Sequence, residues 1–488
     1  MQVFTFDDVL ALLPLLVTCC TALLVMLSIA AQRNHTRTFV LSVIGLNLAL
    51  LSIVPALSAE PRMVTALLRI DRFAHFYTAL ILAATIACVT LTHAYMGERQ
   101  KDKGFPGNRE EIYLLILLAA AGGIVLVCAQ HLASLFIGLE LLSVPVYGMV
   151  AYAFFNRRSL EAGIKYMVLS AAGSAFLLFG MALLYADLGR MDFAAIGAHF
   201  SGTANLLPRL ALGMMLVGLA FKLSLVPFHL WTADVYEGAP APVAAFLATA
   251  SKVAVFAVLL RLLQGVPDAT EGTLGILLGL IAAASILVGN LAALMQNNLK
   301  RLLGFSSIAH FGYLLIALIA GSGLAVEAVG VYLATYVMTT LGAFGVITLM
   351  STPYSGRDAD ALYEYRGLFW RRPWLTAVLT VMLLSLAGIP LTTGFIGKFY
   401  VMASGVQSKQ WWLLATLIVG SGIAVFYYLR VMVALYLAEP NLKRHDAPLH
   451  WGTRAGGIML LVVAVLAFIL GVYPQPLLDL VQAGALAG

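Results

Sequence analysis

Runs of apolar residues, each long enough to cross the roughly 30 Å hydrocarbon core of a bilayer, follow one another along the whole chain with only short polar breaks between them. Read as helices, they fall near 9–30, 38–58, 74–96, 112–128, 131–154, 161–187, 209–231, 241–264, 273–294, 302–320, 325–350, 374–403, 411–437 and 455–474. The pattern predicts an all-α polytopic membrane protein of about fourteen transmembrane helices, a single membrane domain over residues 1–488 with no room for a soluble one. Asp7 and Asp8 precede the first run in place of a basic leader, so that run is expected to be retained as helix one and not removed as a signal.

Composition agrees with this pattern. The chain is 61% hydrophobic and only 11% charged, where a soluble domain carries roughly a quarter charged residues. Cys19, Cys20, Cys88 and Cys128 all lie in apolar segments without a C-x-x-C spacing, which argues against an iron–sulfur cluster or zinc site. Neither a dinucleotide glycine fingerprint nor a phosphate loop is present, so no cofactor and no metal is expected in this chain. The basic residues crowd onto one set of alternate loops, among them Arg33, Arg37, Arg99, Lys101, Lys103, Arg157, Arg158, Lys300, Arg301, Arg371, Arg372, Lys443 and Arg444. By the positive-inside rule those loops are cytoplasmic and both termini are periplasmic.

The chain also resembles itself. At an offset of 166 residues Gly138, Glu140 and Tyr147 fall on Gly304, Ser306 and Tyr313, and Glu161, Ala162 and Tyr166 fall on Glu327, Ala328 and Tyr332. At an offset of 170, Ser251 to Phe256 overlies Ser421 to Phe426, and Pro227 corresponds approximately to Pro390. The implied organisation is three N-terminal helices (1–111), a first repeat of helices four to eight (112–264), a second of helices nine to thirteen (273–437), and helix fourteen in 438–488. Five helices are an odd number, so the second copy should be inverted. Such repeats in transporters place ion sites at mid-membrane beside interrupted helices. Pro227 and Pro390 predict one Pro-broken helix in each copy.

A charge at the centre of a membrane helix costs roughly 2.5–3.5 kcal/mol on insertion scales, so it must be paired or face water. Glu140, Lys222 and Lys252 lie deep in apolar runs and form the core of a candidate proton or cation path. Lys398 follows Pro390 as the carrier expected in the second half. Lys165 is a further candidate, with snorkelling beside Glu161 as its alternative. His229 and His310 are candidate relays, with hydrogen-bonded packing as theirs. Arg430 is expected to anchor, since a guanidinium does not give up its proton. Asp234 and Glu237 are expected to cap the next helix, with proton collection as their alternative. Ser306, Val331 and Gly422 stand in the second copy where the first has Glu140, Lys165 and Lys252, so the halves cannot handle ions equally.

The segment from Gly218 to Lys252, with Phe221-Lys222-Leu223-Ser224-Leu225-Val226-Pro227-Phe228-His229-Leu230-Trp231 and Gly238-Ala239-Pro240-Ala241-Pro242-Val243, closely resembles the antiporter-like membrane subunits of respiratory complex I. Arg301 to His310, Leu386 to Pro390 and Gly394 to Phe399 resemble the second-half motifs of the same family, and the resemblance spans nearly the whole chain. The length, Lys398 and the expected ending of the chain at helix fourteen are closer to the subunit N branch than to subunits L or M. What the resemblance implies is a proton-translocating subunit of NADH:quinone oxidoreductase in a bacterial cytoplasmic membrane. Its partners would be the other membrane subunits, with flavin mononucleotide, iron–sulfur clusters and the quinone site held by other chains. It implies too that Glu140 and Lys222 are a coupled pair, Lys252 the central relay, Lys398 the second-half lysine and Lys165 the additional lysine of helix six. A subunit of a multisubunit sodium/proton antiporter, the membrane arm of an energy-converting hydrogenase and a non-transporting scaffold are the alternatives.

Overall fold

The computed structural model describes residues 5–97, 108–200, 206–267, 272–321, 323–351, 357–438, 445–448 and 450–485. Fourteen apolar segments succeed one another in it: α1 Leu13–Ala31, α2 His35–Ala56, α3 Arg72–Met96, α4 Glu111–Val127, α5 Leu132–Val150, α6 Arg157–Leu188, α7a Leu206–Leu223 with α7b Trp231–Gly238, α8 Ala241–Leu263, α9 Thr273–Leu294, α10 Leu299–Ala320, α11 Ala325–Met350, α12a Pro373–Ala387 with α12b Thr393–Gln407, α13 Trp411–Tyr436 and α14 Ala455–Val472. Large apolar side chains on α1, α2, α6, α13 and α14, such as Leu24, Leu48, Phe179, Phe426 and Phe468, face outward, as a hydrocarbon solvent requires. The helices start where polar side chains take up their first free amides. Asn34 accepts from Arg37, Asp71 from Ala74, Asn156 from Arg158 and Asn298 from Arg301.

Two features depart from the sequence reading. The seventh helix does not end near residue 231, because after the break at Pro227 it resumes as α7b and runs to Gly238. The chain does not end at helix fourteen either: Gln475–Ala485 forms a further helix lying against α3 and α11. The all-α class holds, with one two-residue antiparallel pair, Arg62–Met63 with Arg69–Ile70, between α2 and α3.

Helices α8, α10 and α11 form the enclosed centre, while α1, α6 and α14 leave most of their surface to the outside. Corresponding pairs pack in both halves: α4 on α5 and α9 on α10, α6 on α7 and α11 on α12. The helix starts are held by the same backbone bonds. Leu132 N–H donates to Met191 O as Leu299 N–H donates to Asp360 O, and Phe193 N–H donates to Gln130 O as Leu362 N–H donates to Asn297 O. Each half therefore tucks the strand-like segment after its third helix under the start of its second.

Candidate functional site

Both interrupted helices lie against the central three, and each leaves backbone carbonyls without their usual partner. In α7 the chain leaves the helix after Leu223 with Ser224 at φ 63, and the Val226–Pro227 peptide is cis. The indole of Trp231 donates to Phe221 O at 3.0 Å, and the amide of Val226 donates to Ser285 Oγ at 3.0 Å. The freed carbonyl of Leu223 accepts from Lys252 Nζ at 3.3 Å. In α12 the break opens at Gly388, with φ 82, and Leu391, with φ 71. There the freed carbonyl of Ala387 accepts from Lys398 Nζ at 2.8 Å, and Ser385 Oγ accepts from the amide of Gly394 at 2.9 Å. The two halves solve the same backbone problem with a lysine, drawn from α8 in one case and from α12b in the other.

Lys222, Lys252 and Lys398 are all buried, Lys252 completely. None of them has a carboxylate within 4.0 Å among the described residues. Lys222 Nζ donates to Ser143 Oγ and Ser170 Oγ, each at 2.6 Å, and lies 5.6 Å from the ring centre of Tyr147, whose hydroxyl meets the same Ser170 at 2.6 Å. Glu140 is not in direct contact with Lys222; its Oε1 accepts from Ser174 Oγ at 2.6 Å. The carboxylate and the amine implied as a pair are thus held apart, each by hydroxyls of α5 or α6. Lys252 follows a π-helical turn, Leu247–Ser251, and donates to Ser307 Oγ at 2.8 Å with the Phe311 ring 4.8 Å away. Ser307 also accepts from Tyr336 OH at 2.8 Å. His310 stands one turn further on, its ring 5.3 Å from that of Tyr336 and its Nδ1 2.7 Å from Tyr332 OH. Lys398 Nζ lies 5.4 Å from the ring centre of Tyr313. Glu140, Lys222, Lys252, His310 and Lys398 therefore sit on one polar band through the apolar bundle.

Lys165 stands apart from that band. Its amine bridges Glu161 at 2.6 Å and Asp234 at 3.0 Å, and its side chain is half-exposed at the helix ends that carry Arg158 and Arg301. Asp234 and Glu237 do not cap a helix. Arg301 Nη1 binds both, at 2.7 and 2.9 Å, and Arg158 binds Glu237 at 3.2 Å. The physical reason is that α7b presents both carboxylates to the arginines of α6 and α10. His229 lies at the first break with Nδ1 unpartnered. Arg430 anchors, donating to Gln296 O.

Two buried ion pairs escaped the sequence reading. Lys300, counted there as a loop cation, is enclosed, donating to Ala239 O at 2.6 Å and to Asp358 at 2.7 Å, with Tyr95 OH on the same carboxylate. Arg261 pairs with Asp71 at 2.8 Å. Their partners lie far away in sequence, so no local signal marks them. Near the first pair, burial pushes the Asp360 carboxyl above its ordinary range against the pull of Lys300.

A family model described as NADH:quinone oxidoreductase/Mrp antiporter, TM, matches residues 129–424. NADH-quinone oxidoreductase subunit N of Ectopseudomonas mendocina is 76% identical over 483 residues, covering 99% of this chain and 98% of the relative. The protein of the same name from Chromohalobacter salexigens is 60% identical over 478 residues, covering 97% and 98%. Among solved structures, a chain of respiratory complex I from Thermus thermophilus with bound aureothin superposes with a TM-score of 0.82 at 32% identity, over 97% of this chain and 100% of that one. A chain of the Mrp complex from Dietzia sp. superposes with a TM-score of 0.84 at 20% identity, over 99% and 97%, a likeness of fold.

Proposed function

This chain belongs to the NADH:quinone oxidoreductase/Mrp antiporter family of membrane subunits, and on that premise we propose that it carries protons through the polar band from Glu140 past Lys222 and Lys252 to Lys398. It serves as the subunit N member of a respiratory NADH:quinone oxidoreductase. Flavin mononucleotide, the iron–sulfur clusters and the quinone are held by partner subunits, and no redox centre resides here. The chain is a multi-pass protein of the bacterial cytoplasmic membrane, packed beside other antiporter-like and small membrane subunits, with both termini on the periplasmic side and its five-helix repeats inverted.

The observation that carries this reading is the burial of three lysines without a carboxylate in contact. Lysine, unlike arginine, takes up and releases a proton when buried. Hydroxyls and freed carbonyls accept from the ammonium form at Lys222, Lys252 and Lys398. Serine and tyrosine hydroxyls both donate and accept, so they pass a proton without holding a charge. A charge on Glu140 biases Lys222 across the intervening serines, because interactions in a low-dielectric interior are weakly screened. Lys165, held by Asp234 and Glu161 at the exposed rim, is the loading position. His310 relays between Lys252 and Lys398.

The test compares wild type with Lys222→Met in inverted membrane vesicles, following NADH-driven quinone reduction and vesicle acidification in an assembled complex. Loss of both supports the coupled path. Unchanged turnover and acidification, with loss of a sodium-dependent proton flux, would transfer the chain to the antiporter branch of the family.

A further inference from the structure

The charged pair of the first half has no counterpart in the second. By the 166-residue offset Ser306 stands for Glu140, and by the offset between the two break prolines Ser385 stands for Lys222. Both serines are buried and hydrogen-bonded. Ser385 bonds Thr339 Oγ1 at 3.0 Å and the amide of Gly394. Ser306 bonds the phenol of Tyr428. Tyr428 comes from α13 and is fully buried. Its hydroxyl also lies 3.4 Å from Nε2 of His310, whose Nδ1 meets Tyr332 OH on the other side. The imidazole is thus held between two phenols.

The geometry points to Tyr428 as a proton-relay residue of the second half, bonded to the serine that stands in the place of Glu140 and joining Ser306 to His310 and Tyr332. This deepens the proposed path and rests on it. A neutral imidazole offers one donor and one acceptor, so the chain Ser306, Tyr428, His310, Tyr332 conducts by reversing its hydrogen bonds. The Tyr428 O–H bond breaks toward His310 Nε2 as the Ser306 proton moves to the Tyr428 oxygen. The Nδ1 proton of His310 passes to Tyr332. One proton enters at Ser306 and one leaves from Tyr332; each hydroxyl ends with the one proton it began with, while the imidazole proton has moved from Nδ1 to Nε2, so His310 must return to its first tautomer before the next transfer. The helix of Lys398 packs on that of Tyr332: a Cβ added at Gly397, the neighbour of Lys398, would stand 3.3 Å from the Cα of Tyr332. The first half moves charge between an acid and an amine; the second would move a proton through neutral groups until it reaches Lys398.

Tyr428→Phe keeps the ring, which packs 4.4 Å from that of Tyr427, and removes only the hydroxyl. In the assembled complex, in inverted vesicles, the ratio of protons moved to electrons transferred is expected to fall by the same fraction as in His310→Gln, and the double variant is expected to fall no further. Ser306→Ala reads the same hydrogen bond from its other end if the tyrosine variant fails to assemble. A normal ratio in Tyr428→Phe and Ser306→Ala, beside a lowered one in His310→Gln, makes the phenol a packing group and overturns the inference while leaving the path standing. A normal ratio in both His310→Gln and Lys398→Met removes the second half from the path, and this inference with it.

Discussion

Lys252, the proposed central relay, is the residue at which the needs of the fold and of transport can be told apart. It is fully enclosed, and its hydrogen bonds go to one carbonyl and one hydroxyl. Burying an amine on those terms costs free energy, and apolar replacement of buried ionic groups is often neutral or stabilising by roughly 1–4 kcal/mol. Lys252→Met is therefore expected to leave the melting temperature of the assembled complex unchanged or higher while abolishing this subunit's share of proton movement, read by a thermal shift assay beside vesicle acidification. Gly388→Ala should do the opposite. Its φ of 82 suits glycine, and an added Cβ would stand 2.7 Å from Cδ of Lys398. A left-handed residue with a side chain costs about 1–2 kcal/mol, so a lower melting temperature is expected together with a displaced amine and weaker acidification. At this scale the charges were legible, because Glu140, Lys222, Lys252 and Lys398 interrupt apolar runs that otherwise exclude them. Ser143, Ser170, Ser307 and Tyr428 were not. Hydroxyls in membrane helices commonly bond their own backbone, as Thr85 does to Ile81 O, and only the fold shows which ones face an amine or, for Tyr428, an imidazole.

Among the elements, the two broken helices were legible from Pro227 and Pro390, whereas the extent of α7b was not. Trp231 to Gly238 carries Asp234 and Glu237, which read as a polar loop until α6 and α10 supply Lys165, Arg158 and Arg301 around them. Arg301 of the second half thus ties α7b of the first. The pairs are partly exposed, so screening limits their worth. Arg301→Gln is expected to lower stability by about 1 kcal/mol, with a larger fall in proton movement as α7b loosens; thermal shift and acidification measured together distinguish the two effects. Asp360, in the segment before α12a, gives a pH test. Its folded carboxyl keeps its proton above the ordinary value of 3.8, so the native state binds more protons than the unfolded chain in the window starting there. Stability falls as pH rises through that window and levels off above the folded value. Asp360→Asn removes that fall, so its melting temperature relative to wild type should rise as the pH is raised from 3.8 toward neutrality, and a difference independent of pH would contradict the assignment.

For the whole molecule, the repeat was legible as a faint offset between Glu161-Ala162 and Glu327-Ala328, and the structure adds a backbone likeness that no residue identity carries, in the matched bonds of Leu132 and Leu299. The proposed orientation rests on the alternation of basic loops. A single cysteine at Asp479, which is exposed, is expected to react with a membrane-impermeant maleimide from the periplasmic side and one at Arg157 from the cytoplasmic side, in a background lacking the native cysteines. The reverse pattern would turn the subunit over. The grip on Lys252 bears on how two such halves work together. Its amine is shared between the Leu223 carbonyl, at the break of one half, and the Ser307 hydroxyl, on α10 of the other. On the proposed path a single ammonium at that seam would act as a turnstile: it would admit one charge at a time, the halves would take turns, and traffic through the subunit would be single file.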